Sequence, residues 1–359
     1  MAETDSFIEL IDKHLHHHSG FAICRLPGTD APIMYIQTDG EPELTYDLSR
    51  VSDKSGFVIA PYDASELPAV IIRPDIKAYG NDEIISSLRT INIGQTVTAQ
   101  QLPTYDITHE EYTQLFDKYT DSIKKGENNK IVFARSSSRA LAQSPAALFC
   151  EACRRYTNLF VYMAFTRTTG LWLGCSPELL VEGGQGKWRT MALAGTQKLT
   201  DNVVWDEKNK AEQHIVEEFI TAVLKPMSAD IGTHGPYTYK AAQLAHLCTD
   251  IEFVTPDTTS IGDIARLLHP TPAVCGMPRE TARQFIQRYE PTRRLYYSGV
   301  VGLTAPQADS HLYVNLRCMN ICGPTATIFA GGGIMADSQC ESEWNETEMK
   351  IATIDELIK

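Results

Sequence analysis

The chain has 359 residues, 43% of them apolar, and a formal net charge of −13. It is long enough to bury a large core in one big domain or two ordinary ones. The acidic balance repels nucleic acid and anionic membrane surfaces, and no Lys/Arg stripe offsets it, so an anionic substrate would need a local cationic pocket or a metal.

No apolar run approaches a membrane span, and the first residues lack the basic and then apolar segments of a signal peptide, so a cytoplasmic protein with no membrane partner is expected. Nine cysteines, an odd number scattered through apolar stretches, suit reduced, buried thiols.

Residues 1–106 alternate short β-like runs, at 20–25, 32–36, 56–60 and 69–73, with turns, and carry no catalytic pattern. His14, His16, His17 and His18 would point in different directions on a helix, so a solvated helix end is expected rather than a metal site. An amphipathic helix at 107–125 leads through a polar loop to a strand at 130–135, whose period of two puts Lys130, Val132 and Ala134 on one face. Ser144 as N-cap and Pro145 in the first turn start a helix over 146–156. Cys150 and Cys153 fall within that helix without a second pair, which favours packing over zinc or redox chemistry.

Strands follow at 159–166, 171–175, 179–182 and 188–193, then a long helix at about 206–227. The remainder reads as strands at 250–254, 296–303, 312–322 and 325–330, with helices at 261–268, 278–289 and 338–358. Strands arriving in runs, with helices between the runs, predict an α+β fold with mainly antiparallel sheets.

Several features could carry chemistry. Glu343 and Glu346 are three apart on the last helix with Lys350 four beyond, so all project from one face, and Glu212 adds a carboxylate on the middle helix. Such a set suits a hard cation, although acidic helix faces are commonly just solvated. The glycine run at 331–333 either makes a tight turn or lets backbone N–H groups approach an anion. Arg317 lies in an apolar strand, where it needs an anionic ligand or a structural ion pair. Lys130 opens another apolar strand, where desolvation would favour a neutral amine able to act as a base.

Taken in order, the motifs resemble the chorismate-utilising family of isochorismate, salicylate, anthranilate and aminodeoxychorismate synthases. The carriers are Lys-Ile-Val-Phe-Ala-Arg at 130–135, Ser-Pro-Glu-Leu-Leu at 176–180, Ala-Leu-Ala-Gly-Thr at 192–196, Glu212, Leu-His-Pro-Thr-Pro-Ala at 268–273, Tyr-Ser-Gly-Val-Val-Gly at 297–302, Leu-Arg-Cys at 316–318, Ala-Gly-Gly-Gly-Ile at 330–334 and Glu-Trp-Asn-Glu-Thr at 343–347. The resemblance implies a single large domain over 1–359, with two packed antiparallel sheets wrapped by helices. Residues 1–106 would be a variable part of that fold, and 107–359 its motif-bearing catalytic part.

It further implies chorismate as substrate and Mg²⁺ as cofactor, with Glu212 and Glu346 as ligands and Glu343 reaching the ion through water. Gly195 and Thr196, with Lys350 close by, would hold the ring carboxylate; Arg317, Tyr297 and the backbone of Gly331 and Gly333 would hold the enolpyruvyl carboxylate. Lys130 would be the base and Glu178 the acid.

Ammonia-using members resemble one another in lacking a lysine at the Lys130 position, so water is the expected nucleophile and no glutaminase subunit is needed. Aminodeoxychorismate synthases often carry a nucleophilic lysine where this chain has Ala194. The expected product is isochorismate, for menaquinone or siderophore synthesis. Salicylate, formed by a further loss of pyruvate, is the alternative, and a silent chorismate-binding protein is a more distant one.

Overall fold

In the computed structural model the described residues are 2–359 other than 102 and 229, with side chains described from Ser6 onward. One sheet contains β1 (Gly20–Arg25), β2 (Ile33–Gln37), β6 (Ile76–Tyr79), β7 (Lys130–Ala140), β8 (Phe160–Thr166), β9 (Gly170–Ser176), β14 (Gly276–Met277), β17 (Cys318–Cys322) and β18 (Thr325–Ile334). The other contains β3 (Glu43–Thr45), β4 (Gly56–Ala60), β5 (Ala69–Ile72), β10 (Leu179–Gly184), β11 (Lys187–Lys198), β12 (Ile231–Ala241), β13 (Leu244–Val254), β15 (Val300–Thr304) and β16 (Ser310–Val314). Their spatial orders are β14-β7-β18-β17-β9-β8-β1-β2-β6 and β12-β13-β11-β10-β16-β15-β4-β5-β3. The strand pairs within both sheets are antiparallel, as expected.

The helices are α1 (Ala2–His14), α2 (Gly80–Thr90), α3 (His109–Lys124), α4 (Pro145–Arg155), α5 (Glu207–Leu224), α6 (Ile261–Leu268), α7 (Arg279–Tyr289) and α8 (Cys340–Ile358). Among the described residues none is long and apolar enough to cross a membrane.

Both faces of the sheets are covered, which is why the strands read as unbroken apolar runs rather than alternating ones. On β1, Phe21 and Ile23 pack with residues of α1, α2, α4 and α8, while Ala22 and Cys24 pack against the second sheet. Val216 and Ile220 of α5 and Ile264 of α6 cover the far face of that sheet. Strands before residue 80 join both sheets, so the N-terminal part is built into the same α+β unit.

Local signals set the helix starts. The Thr108 side chain accepts from Glu111 N, and Glu111 returns the bond, closing a capping box on α3. Ser144 caps α4 with Pro145 in its first turn, and Asp206 caps α5. Cys150 and Cys153 lie on α4 as partly buried thiols packed against the core, and all nine cysteines are free.

Four expectations are corrected. Residues 231–249 were not foreseen as a hairpin: β12 is largely exposed and contains Gly232, Gly235 and Pro236, so only its pairing with β13 makes it a strand. Residues 296–299 form a turn with Ser298 at φ 59°, and the strand begins at Val300. The run 312–322 is not one strand. It ends in one sheet as β16, crosses at Asn315 to Arg317 and resumes in the other as β17, with Arg317 at φ 47°. Finally, the histidine cluster is not a solvated helix end: His14 and His18 are buried, with rings stacked at 5.3 Å.

Candidate active site

Two chain crossings between the sheets build the centre of the site. The first joins β9 to β10 and carries Glu178; the second joins β16 to β17 and carries Arg317. They brace one another. Val314 N donates to Glu178 O at 3.0 Å, Ser176 Oγ to Val314 O at 2.5 Å and Cys175 N to Arg317 O at 2.9 Å. Buried Asn315 fixes the second crossing, donating to Tyr296 O at 2.9 Å and accepting from Tyr162 Oη at 2.7 Å. A chain leaving one sheet for the other must pass through the inter-sheet gap, and its side chains reach a cavity there. Glu178, Gly195, Thr196, Glu212, Tyr297, Arg317, Gly331, Gly333 and Lys350 all line that one cavity.

Arg317 is buried and has only neutral partners. Its guanidinium donates from Nη1 to Thr353 Oγ1 at 3.0 Å and from Nη2 to His246 Nε2 at 3.1 Å. No carboxylate of the described residues lies within ion-pair distance, so the structural ion pair is not found. Burial lowers its pKa to about 10, against smaller raising effects of Tyr297 and Glu346. A buried guanidinium without a counter-ion is a grip for an incoming anion.

His246, which the sequence did not mark, lines the same cavity. Its Nδ1 lies 2.8 Å from Gly195 O, which can only accept, and Nε2 faces Arg317, which can only donate, so the ring is the Nδ1–H tautomer. Burial first and Arg317 second hold its pKa well below the usual histidine value, keeping it neutral. Gly195 and Thr196 sit at a register shift between β11 and β13, with Gly195 at φ 68°. A Cβ there would lie 2.9 Å from Asn209 Oδ1.

The three glycines at 331–333 are neither a turn nor left-handed: they continue β18 along β7. Strand β17 pairs with β18 only over 325–328, so this stretch has no strand on its other edge, and Lys350 Nζ donates to Gly331 O at 2.8 Å there. The glycines admit side chains instead. A Cβ on Gly333 would stand 2.5 Å from Glu212 Oε1 and 2.7 Å from Lys130 Cε, and one on Gly331 would stand 3.0 Å from Tyr297 Oη.

Lys130 is fully buried, with Nζ 2.8 Å from Glu212 Oε1 and in hydrogen-bond geometry with no group. Burial disfavours the charge on Glu212, but Lys130, joined by Lys350 and Lys208, outweighs it, and together they hold that carboxyl below its usual range. Glu178 has the opposite balance. Burial raises its pKa to about 8, against the pull of Lys130, the Thr271 hydroxyl and Lys350, so it is a carboxylic acid at neutral pH.

Glu343 and Glu346 lie beside the cavity on α8. Glu346 pairs with Lys350 at 2.6 Å, and Glu343 Oε1 is in contact with Lys208. Glu343 Oε2 is buried without a hydrogen-bond partner, and burial followed by Glu346 raises its pKa. Among the described residues no three acidic, His or Cys side chains converge tightly enough to form a finished coordination shell. The donor set is nevertheless all carboxylate oxygen with one oxygen orphaned, which fits a hard divalent cation such as Mg²⁺.

Residues 79–359 match the family described as chorismate binding enzyme. The isochorismate synthase MenF of Escherichia coli is 34% identical over 263 residues, covering 69% of this chain and 60% of that protein. The isochorismate synthase DhbC of Bacillus subtilis is 32% identical over 318 residues, covering 82% and 78%. The first relatives are matched over 55 to 60% of their own length. The solved structure of the menaquinone-specific isochorismate synthase MenF of Escherichia coli superposes with a TM-score of 0.80 at 23% identity, over 98% of this chain and 91% of that one.

The fold and the cavity thus define an α+β enzyme class built on two packed antiparallel sheets. The chain belongs to the chorismate-binding enzyme family. The family match begins at residue 79, earlier than the motif-bearing part read from the sequence.

Proposed function

We propose that the protein is an isochorismate synthase, converting chorismate to isochorismate with Mg²⁺ and without a glutaminase partner. The observation that carries this reading is Glu178, a buried acid with a pKa of about 8 in the cavity wall, together with the buried lysine Lys130, which lies behind that wall and meets the cavity-lining Glu212 at 2.8 Å. Exchange of a hydroxyl needs both roles at once, one group to take a proton from water and one to give a proton to the departing oxygen.

Lys130, acting as the neutral amine, accepts a proton from water as the water oxygen attacks ring C2; the ring double bonds shift, and the C4–O bond breaks as Glu178 protonates the leaving hydroxyl. One water enters and one leaves, so the product is an isomer. Arg317 and Tyr297 hold the enolpyruvyl carboxylate, and Gly195 and Thr196 the ring carboxylate. With both ends held, the ring is fixed between acid and base, and positioning supplies much of the rate. Glu212, Glu343 and Glu346 would hold Mg²⁺, which supplies positive charge to neutralise the ring carboxylate. The whole chain acts as one catalytic domain, with 1–106 as its variable part.

Incubation of the purified protein with chorismate and Mg²⁺ should yield isochorismate by chromatography, and EDTA should abolish it. Recovery of salicylate and pyruvate would reassign the product; no turnover would leave a chorismate-binding protein. Arg317→Lys should raise KM for chorismate roughly tenfold, because an ammonium cannot reproduce the planar fork that meets a carboxylate, Thr353 and His246 together. An unchanged KM would remove Arg317 from the binding site.

A further inference from the structure

Each carboxylate of the acidic cluster is paired with a different lysine: Glu212 with Lys130, Glu346 with Lys350 and Glu343 with Lys208. Lys350 lines the substrate cavity and Lys130 is the proposed base, whereas Lys208 has no part in the chemistry above. It stands in the first turn of α5, one helical turn before Glu212, and its ammonium crosses to α8 to contact Glu343 Oε1. Glu346 and Glu212 act on the same ammonium by charge, so all three carboxylates share it. The Lys208 side chain is 29% exposed against 1% for Glu343, so the cation enters from the solvent side onto a buried anion.

We propose that Lys208 is a built-in occupant of the divalent-cation site, neutralising the carboxylates in the metal-free protein and swinging out when Mg²⁺ binds. The inference rests on the reading that Glu212, Glu343 and Glu346 hold that ion. A buried carboxylate beside another carboxylate is costly without a cation, and Glu343 is in that position. An ammonium on a flexible four-carbon stem can supply the charge and then leave. An ion held by Glu212 and Glu346 and reaching Glu343 through water would share these carboxylates with the ammonium already in contact with Glu343 Oε1, and repulsion between the two cations drives Lys208 out. The lysine therefore weakens Mg²⁺ binding and sets the concentration the protein requires.

The test is calorimetric titration of the full-length protein with Mg²⁺ alone, for wild type, Lys208→Met and Lys208→Gln, with each variant's fold checked by circular dichroism. Both variants should bind Mg²⁺ about tenfold more tightly than wild type or better. They should also melt lower than wild type without metal and gain more on saturation. Tighter binding by whichever variant folds supports the proposal, as does Mg²⁺ binding that appears only once the lysine is removed. Equal or weaker binding by a folded variant overturns it, making Lys208 a prop for Glu343 rather than a competitor. If neither wild type nor variants bind Mg²⁺, the metal reading itself fails.

Discussion

Glu178→Gln should abolish turnover and yet stabilise the protein above pH 8. The loss follows from the proposed role: an amide cannot protonate a departing hydroxyl, and removal of a positioned acid typically costs about 10²–10⁴ in kcat. Chorismate binding should stay measurable, because Gln has the shape of the protonated acid. The gain follows from burial, which raises the folded-state pKa of Glu178 from the usual 4.5 to about 8. Between those values the folded protein keeps a proton that the unfolded chain releases, so stability falls as pH rises from about 4.5 to 8. Gln carries no such penalty, and the advantage between pH 6 and pH 8.5 should grow by on the order of 2 kcal/mol. Thermal melts at pH 6 and pH 9 check this. A melting difference that does not widen with pH would show that Glu178 is not a raised acid. In the wild type, kcat/KM should decline as pH passes about 8.

Arg294→Met should be the most destabilising single change outside the cavity. Arg294 and Glu290 are each 2% exposed and meet through two bonds, of 2.6 and 2.7 Å. The guanidinium also donates to Val274 O at 2.6 Å and Val132 O at 2.9 Å, while Glu290 accepts from Ala134 N at 2.8 Å. The pair thus joins the end of α7, the loop carrying Val274 and strand β7, and both Val132 and Val274 line the cavity. Removing the arginine strands a buried carboxylate, which costs about 3–5 kcal/mol. The denaturation midpoint should fall accordingly, and KM should rise as the cavity wall loosens. The double change Arg294→Met with Glu290→Met should recover most of the stability, because the pair is removed together. A melting temperature for Arg294→Met within a degree of wild type would refute the clamp.

The fold class was legible because helix caps and apolar runs are local signals. Ser144 with Pro145 announced α4, and the unbroken runs at 159–166 and 171–175 announced strands buried on both faces. What escaped is non-local. Strand β12 looks like a loop until β13 is placed beside it. The break at 315–317 is hidden in apolar sequence, since nothing nearby signals that the chain changes sheets or that Arg317 turns left-handed. Most of the site residues drawn from the family resemblance share one cavity, with Lys130 behind its wall and Glu343 and Glu346 beside it, but His246 was passed over because it falls in 231–249, where no element was read. Its signal is chemical rather than periodic: a histidine in the apolar run Leu244 to Leu247, where a buried ring needs partners for both nitrogens.

That ring has a consequence for selectivity. One neutral imidazole touches Gly195 O on one side and Arg317 Nη2 on the other, so the two proposed anchoring points are joined by a rigid spacer about one aromatic ring wide. The spacing is set before any ligand arrives. On the proposed reading the pocket would work as a caliper: a diacid whose charged ends are spaced differently from those of chorismate should meet one anchor and miss the other.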